Sequence, residues 1–276
     1  MTPRAPIEWR PDFLERAPIF EPLRARGRGL EATGWPRAAE LDRLAGGALV
    51  SGGGATLRFV QAGDERGSDL PYERRVFEFG EVVCRREDWH DLFNALVWLT
   101  FPRSKAAINA RHVREMGSEA PGKRGRARDA LTLFDEGGLI VASADADLTR
   151  LIREFRWKEL FWSRRAQLAR DMRFFAFGHA LYEKALVPFV GITASALLLD
   201  VDETFMSAGL DSQLAAADER VAAVLSSPDS IRTPKDFSPV PVLGVPGWSP
   251  LNEDERFYDD AGYFRPGRGG RLADAR

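Results

Sequence analysis

Three polar side chains lie close together in a stretch that is otherwise apolar, residues 88–101. His90 and Asn94 are four positions apart, so a helix would place them one turn apart on one face, with Asp91 beside them. An imidazole can act as a general base or a metal ligand, and a carboxamide can orient a substrate or an oxyanion. A capped helix end with a satisfied histidine explains the same residues equally well.

A second candidate lies where the apolar run 173–177 ends at Gly178. A helix is predicted to begin there, with His179 in its first turn and Glu183 one turn later, able to orient the ring. Strand-to-helix junctions often border sites in α/β structures, although an ordinary polar pair is the simpler interpretation. In an enzyme, His90 and His179 should face a shared, solvent-reachable pocket. In a scaffold, each should be buried and fully hydrogen-bonded.

Residues 117–128 are rich in glycine and arginine, and are predicted to form an exposed loop. Arg126 and Arg128 could receive a phosphate group, with Asp129 as a neighbouring carboxylate, but basic loops are more often simply solvated. Asp135 could supply the carboxylate instead. Together with Glu136 it lies in a run that predicts a turn.

The metal signal is weak. The chain has three histidines, which could meet with carboxylates to form a divalent site of nitrogen and oxygen ligands, but no His-Glu-x-x-His spacing is present. Asn109 and His112 are three positions apart and are predicted to lie on a surface helix. No Gly-x-Ser-x-Gly elbow supports a serine triad, and Cys84 is predicted to be a core residue.

Composition excludes several classes of protein. A net charge of −2 over 276 residues argues against a general nucleic-acid coat. A single cysteine rules out an internal disulfide, and no signal-peptide pattern opens the sequence, so a cytoplasmic location is expected. The longest apolar run is about half the ~20 residues that a membrane span needs.

The elements that must position these residues follow from periodicity and turn residues. The helix over 88–101 should be capped by Asp88, with Asp91 completing a capping-box-like pattern, and should end near Pro102. The other predicted elements are hairpins at 72–85 and 131–141, helices at 104–114, 147–171 and 210–225, a strand at 173–177, and a strand or short helix at 191–201.

Both ends of the chain are rich in proline. Residues 1–35 are predicted to form an extended arm packed on the body. Residues 36–276 form a single α+β domain that includes the proline- and aromatic-rich segment 228–276. The expected architecture is a mostly antiparallel sheet of short strands, covered by helices and wrapped by the two arms.

Three stretches support a family resemblance: WHDLFNALVWLTFPRSKAAIN at 89–109, FGHALYEKALVPFVGITASALLLDV at 177–201 and PVPVLGVPGWSPLNEDERFYDDAGYFRPGR at 239–268. Together they resemble the bacterial family catalogued as domain of unknown function 3025. The resemblance implies that all three stretches belong to one domain. It brings no activity, substrate or cofactor with it.

The sequence slightly favours an enzyme, a hydrolase or nuclease-like protein acting on a phosphate-bearing substrate, with a divalent metal as an open question. The alternative is a non-catalytic binding or scaffold protein in which these polar groups are structural. The expected catalytic residues are His90, Asp91, Asn94, His179 and Glu183, and the expected substrate-binding residues are Arg126, Arg128 and Asp129.

Overall fold

The apolar helix predicted around residues 88–101 lies at the centre of the molecule. In the computed structural model, which describes residues 7–28, 30, 34–119 and 123–267, this helix spans Trp89–Thr100, and all of its residues are buried except His90. Asp88 is the N-cap, because its Oδ1 accepts a hydrogen bond from the Asp91 amide at 3.0 Å. Phe101 leaves the helical conformation just before Pro102, as the missing proline N–H predicts.

The described part of the chain contains eleven α-helices and six strands, joined by several short 3-10 turns. The helices are α1 (Arg24–Gly27), α2 (Ala38–Ala45), α3 (Tyr72–Phe79), α4 (Trp89–Thr100), α5 (Pro102–Ser118), α6 (Arg126–Gly137), α7 (Ala146–Arg153), α8 (Arg165–Asp171), α9 (His179–Ala185), α10 (Glu203–Ser207) and α11 (Leu210–Ser226). The strands are β1 (Arg58–Gln61), β2 (Glu81–Cys84), β3 (Gly138–Ser143), β4 (Met172–Ala176), β5 (Thr193–Asp200) and β6 (Ser238–Pro241). No helix among the described residues is both long enough and apolar enough to cross a membrane.

The α+β class is confirmed, with a main sheet of mixed direction. Its strand order is β4-β3-β5-β6, and β3 pairs parallel to β5, while β4 and β6 are antiparallel edge strands. A separate small sheet pairs β1 with β2 in parallel. All six residues of β3 are buried, as expected for a central strand covered on both faces.

Both predicted hairpins are wrong. The segment 72–85 instead forms helix α3 followed by strand β2, because Pro71 starts the helix and Gly80 ends it with a left-handed φ of 70°. A Cβ at Gly80 would lie 2.1 Å from the Thr56 carbonyl oxygen, so only glycine fits this turn. The segment 131–141 forms the end of α6 and strand β3, so its Asp-Glu-Gly-Gly run ends a helix and does not form a hairpin turn.

The single long helix predicted from Asp147 is also wrong. Its true N-cap is Asp145, whose carboxylate accepts the amides of Asp147 and Leu148. The helix stops after Arg153, and Phe155 adopts a positive φ of 60°. A π-helical turn at Glu159–Ser163 and helix α8 then complete the segment. The remaining predicted elements are confirmed, and the ambiguous stretch 191–201 is strand β5.

The proline-rich ends supply many buried side chains. Near the N-terminus, Phe13 and Phe20 belong to the core and lie within 6 Å of the Phe93 ring on α4. Near the C-terminus, the Tyr263 hydroxyl donates to the Ile192 carbonyl at 2.8 Å and accepts the Leu243 amide at 2.9 Å. These bonds fasten the C-terminal segment to the start of β5.

Arg111 ties α5 to the end of α11 and to the chain that follows it. Its guanidinium is 1% exposed and donates to the carbonyls of Leu225, Pro228 and Ile231. We expect Arg111→Lys to lower the free energy of unfolding by about 2 kcal/mol, because an ammonium cannot reproduce the planar fork. Denaturant titration measures the change, with the exposed Arg114→Lys on the same helix as the control. An equal, small loss in both variants would show that the fork does not matter.

Candidate metal centre

His90 is the one residue of α4 that is not buried. Its side chain is 34% exposed, while its neighbours Trp89 and Asp91 are both buried. The Asp88 cap fixes the first turn of the helix, so the direction of the His90 ring is set by the same residues that start the helix. The predicted face with Asn94 is confirmed in part: Asn94 lies one turn further on, but it is buried.

His179 is brought to His90 by a close backbone approach at Gly178. A Cβ at Gly178 would lie 2.4 Å from the carbonyl oxygen of Glu136, so a larger residue would push α9 away from α6. The amides of Phe177 and Gly178 both donate to the Gly138 carbonyl, at 3.0 and 2.9 Å. This junction seats His179, the first residue of α9, against the last turn of α6.

The two imidazoles face each other through the same ring atom. His90 Nε2 and His179 Nε2 are 3.0 Å apart, and His179 Nε2 is 3.6 Å from Glu136 Oε1. One ligand atom from each of the three residues lies within 4.8 Å of the others. A tetrahedral ion with bonds of 2.0–2.1 Å holds its ligand atoms about 3.3 Å apart, so this spacing suits one shared ion.

Carboxylates stand behind both rings. Glu183 Oε2 is 3.2 Å from His90 Nδ1, and Asp135 Oδ2 is 3.8 Å from His179 Nδ1. Metal-binding histidines usually have a carboxylate at the second ring nitrogen, which fixes the tautomer and aims the first nitrogen at the ion. His179 Nδ1 is buried without a hydrogen-bond partner among the described residues, so the ring is not fully satisfied as a purely structural histidine would be.

The charges of these groups influence one another. The hydrogen bond that Glu183 accepts from His90 raises the pKa of His90, and the negative charge of Glu136 raises it further. The His179 ring lowers the pKa of Glu136, against the opposing effect of burial. Burial acts to raise the pKa of Asp135, but the Lys105 ammonium, 2.6 Å away, and His179 together hold that pKa below its usual value. Asp135 and Glu136 are therefore ionised at neutral pH.

The carboxylate of Asp91 binds Arg85 and makes no hydrogen bond to either histidine. It accepts the Arg85 amide at 2.8 Å and two guanidinium hydrogen bonds at 2.7 and 2.8 Å. The capping-box pattern is therefore wrong in its second half, because Asp91 binds Arg85 and not the Asp88 backbone. Asp91 fastens the end of β2 to the start of α4, next to His90.

Asn94 and Lys105 connect Asp135, which lies beside His179, to the hydroxyl of Tyr72. The amide oxygen of Asn94 accepts from Lys105 Nζ at 2.9 Å, and its nitrogen donates to the Tyr72 hydroxyl at 3.1 Å. Lys105 is 3% exposed and is also bound to Asp135. A continuous chain of contacts therefore runs from His179 through Asp135, Lys105 and Asn94 to Tyr72.

The prediction that Asn109 and His112 lie on a surface helix is wrong. Both side chains are 2% exposed, and Asn109 Nδ2 donates to Glu73 Oε2 at 3.0 Å. His112 Nε2 is 4.0 Å from Glu73 Oε1. Burial raises the pKa of Glu73 to about 7 and lowers that of His112 to about 4. Only two of the three histidines therefore converge, and His112 faces Glu73.

The predicted substrate-binding residues lie at the opposite end of α6 from Glu136. Ten residues separate Arg126 from Glu136, which is about 15 Å along a helix. Arg128 Nη1 is 2.7 Å from Glu119 Oε2, and Asp129 Oδ1 is 2.9 Å from Arg124 Nε. Arg126, Arg128 and Asp129 all lie in the first turn of helix α6, so the loop predicted over 117–128 ends earlier than expected. Substrate binding by these residues stays a prediction.

Sequence reasoning missed the roles of Glu136, Lys105, Tyr72 and Glu73. The sequence did not indicate Glu136 as a metal ligand, because its glycine-rich surroundings are typical of a turn. Lys105 carried a usable signal: with Asn109 and His112 it occupies positions i, i+4 and i+7 of one helical face, a polar stripe on a buried helix. Glu183 was expected to orient His179, but it contacts His90 instead, a residue 93 positions away.

Comparisons with known proteins give one result. The family model described as "Protein of unknown function (DUF3025)" matches residues 57–268, which is more than half of the chain and includes every residue of the candidate centre. No curated protein and no solved structure matches the chain.

Proposed function

This chain belongs to the family of domain of unknown function 3025, and we propose that it is a metal-dependent hydrolase that acts on a phosphate-bearing substrate. The observation that carries the proposal is the convergence of His90 Nε2, His179 Nε2 and the Glu136 carboxylate. Two imidazoles and one carboxylate, with positions left for water and substrate, form the ligand set of catalytic zinc sites and of several other first-row metals.

The charge of the surroundings favours a cation. Asp135, Glu136 and Glu183 bring three carboxylates to the two imidazoles, while Lys105 brings one ammonium. Without a bound cation this excess of negative charge is repulsive, which is the kind of local instability that binding sites retain. Nitrogen ligands favour a transition metal such as Zn²⁺ over Mg²⁺ or Ca²⁺, which prefer oxygen alone.

The protein's own groups would hold and orient the centre. Glu183 fixes the His90 ring through Nδ1, and Asp135, itself anchored by Lys105, stands behind His179. His90, Glu136 and Glu183 remain 34%, 43% and 42% exposed, so a substrate can approach from their side. A bound divalent ion would supply Lewis acidity and a water with a pKa lowered to about 7.

A non-catalytic role is the second candidate, because one observation also fits it. The separation of 3.0 Å between the two Nε2 atoms is a normal hydrogen-bond length when one ring carries the proton. In that case the cluster would only join α4, α6 and α9. The cytoplasmic location expected from the sequence stays a prediction in either case.

The deciding experiment is metal analysis followed by an activity assay. The chain is stripped with a chelator, incubated with Zn²⁺, Mn²⁺ or Mg²⁺, desalted, and its metal content measured by mass spectrometry. We expect one equivalent of Zn²⁺ or Mn²⁺ per chain, little Mg²⁺, and metal-dependent cleavage of phosphate mono- or diesters. A chain that retains no metal would support the hydrogen-bonded scaffold, while uptake without ester cleavage would leave a metal-binding protein that is not this hydrolase.

A further inference from the structure

A cavity of about 390 Å³ opens between three parts of the chain: the residues after α7, the paired strands β5 and β6, and the segment around residue 263. Small-molecule sites in proteins occupy about 300–1,000 Å³, so a small ligand fits this volume. Among the described residues, those that line the cavity are all different from those of the candidate metal centre. The cavity is therefore a separate place at which a molecule could bind.

Most of the lining residues are aromatic or proline. Trp157 and Tyr263 are buried and their polar atoms are already bound: Trp157 Nε1 donates to the Arg265 carbonyl at 3.1 Å, and the Tyr263 hydroxyl bonds to the backbone. Pro239 and Pro241 are two positions apart on β6, so they lie on the same face of the sheet edge. These walls offer apolar surface and few hydrogen bonds, which suits an aromatic ring.

Phe155 lines the cavity from a strained backbone position. It follows the end of α7, where its amide donates to the Ile152 carbonyl at 3.1 Å and the next amide, that of Arg156, donates to the Leu151 carbonyl at 2.9 Å. These two bonds form a Schellman motif, whose left-handed position is usually occupied by glycine. Phe155 has a φ of 60° there, and strained residues of this kind cluster at functional sites. The strain indicates that the Phe155 ring does more than end the helix.

Arg265 brings a positive charge to the rim of the cavity. It is exposed, and its Nε donates to the Gly262 carbonyl at 3.0 Å, which fixes one edge of the guanidinium. Among the described residues, its two terminal nitrogens have no hydrogen-bond or ion-pair partner. The carboxylates that precede it in the chain are engaged, since Asp260 accepts the Gly262 amide at 2.9 Å and Asp259 binds Lys158 at 2.7 Å. The terminal nitrogens are therefore left to receive an anion.

We propose that this cavity binds an aromatic carboxylate of one or two rings. The ring would pack against Phe155 and the prolines of β6, and the carboxylate would pair with the Arg265 guanidinium, whose fork matches its two oxygens. The lining residues include one cation and no carboxylate, so an acid is favoured over an amine. The site shares no residue with the candidate metal centre, so its ligand does not depend on the proposed function.

The test titrates the full chain with phenylacetate and with indole-3-acetate, followed by calorimetry. The chain is stripped of metal, so that the acids cannot coordinate an ion at the candidate centre. Acetate has the charge without the ring, and the corresponding amides have the ring without the charge. We expect at least one aromatic acid to bind saturably, and acetate and the matching amide to bind about tenfold more weakly or not at all. Absence of saturable binding by both acids, or equal affinity for an acid and its amide, would overturn the proposal.

Arg265→Gln tests the contact with the charge. It keeps the backbone carbonyl that Trp157 binds, and it should weaken the binding of the acid about tenfold or more while leaving that of the amide unchanged. Arg256→Gln removes the same charge from an exposed arginine of the C-terminal segment that does not line the cavity, and it should leave both affinities unchanged. An equal loss of affinity in the two variants would reflect general electrostatic attraction and would contradict the assignment.

Phe155→Gly tests the contact with the ring. Glycine adopts a positive φ without strain, so the melting temperature should change little, while the acid should bind about tenfold more weakly. If this variant unfolds, Arg265→Gln carries the decision, because it alters an exposed side chain. Binding that persists unchanged in both variants would place the ligand elsewhere on the molecule.

The side chain of Trp157 reports where the ligand binds. Its indole N–H is bonded to the Arg265 carbonyl in the wall of the cavity, and Trp157→Phe identifies its nuclear magnetic resonance signal. Addition of the acid should shift this signal and leave those of Trp89 and Trp98, which lie on α4, in place. Shifts confined to the tryptophans of α4 would show that the acid binds outside the cavity and would rule this site out.

Discussion

Replacement of His90 by alanine is expected to reduce metal uptake from one equivalent per chain to none at micromolar metal. His90 supplies one of the two imidazole nitrogens, 3.0 Å from the other, and Glu136 alone with His179 leaves only two protein ligands. The affinity should fall by more than about a hundredfold, since loss of a partner one step further out already costs ten- to hundredfold. Mass spectrometry of the desalted, metal-incubated chains measures the change directly.

Two companion variants test whether the loss of metal is specific to the proposed centre. Glu183→Gln keeps a hydrogen-bond acceptor at His90 Nδ1 but removes the charge, so its affinity should lie ten- to hundredfold below that of the parent chain. His112→Asn alters the histidine that does not converge, and should bind metal like the parent chain. If His90→Ala and His112→Asn lose metal to the same extent, the loss reflects general destabilisation and the assignment of the centre is wrong.

Replacement of Glu73 by glutamine is expected to stabilise the protein at alkaline pH by up to about 3 kcal/mol. Burial raises the pKa of Glu73 from 4.5 to about 7, and each unit corresponds to about 1.4 kcal/mol. Because the folded-state pKa is the higher one, the contribution of Glu73 to stability is fully present below about pH 4.5. It is lost as the pH rises through about 7, where the folded protein must bury a charge. Glutamine has no such charge to bury.

The groups that face Glu73 do not reverse this sign. Asn109 donates a hydrogen bond to the carboxylate, and the positive charges of Lys105 and Arg128 favour the ionised form, but burial and Asp135 outweigh them. His112, with a pKa lowered to about 4 by burial, is neutral throughout the range. Glutamine can still accept the hydrogen bond from Asn109, so the substitution removes the charge and keeps that contact.

Urea unfolding at pH 5 and at pH 8 tests this expectation. The two proteins should differ little at pH 5, and Glu73→Gln should be the more stable at pH 8. Glu78→Gln, which alters an exposed glutamate of the same helix, should show no such pH-dependent gain. A variant less stable than the parent chain at pH 8 would mean that Asn109, Lys105 and Arg128 compensate the ionised carboxylate fully, and that burial does not destabilise it.

Much of the local structure was readable from the sequence because short-range interactions determine it. Asp88 and Pro102 delimit helix α4, and Gly178 separates β4 from α9, as predicted. The two wrong hairpin predictions share one cause: a glycine close to a short apolar run is typical of a turn between two strands, and equally of a helix end that leads into a strand. Gly80 and Gly138 instead mark passages from helix to strand, and each is packed too closely for a Cβ.

The residue types that could do chemistry were determined by the sequence alone, and so was the helix that presents His90 to solvent. The assembly of the centre was decided by tertiary structure. His90 and His179 are 89 residues apart, and their contact depends on the packing of α9 against both α4 and α6. The carboxylate partners were decided in the same way. The i, i+4 spacing predicts that Glu183 contacts His179. In the structure Glu183 contacts His90, and Glu136 lies beside His179. The partner of each carboxylate depends on which helix packs against its own, and the spacing along a single helix does not determine that.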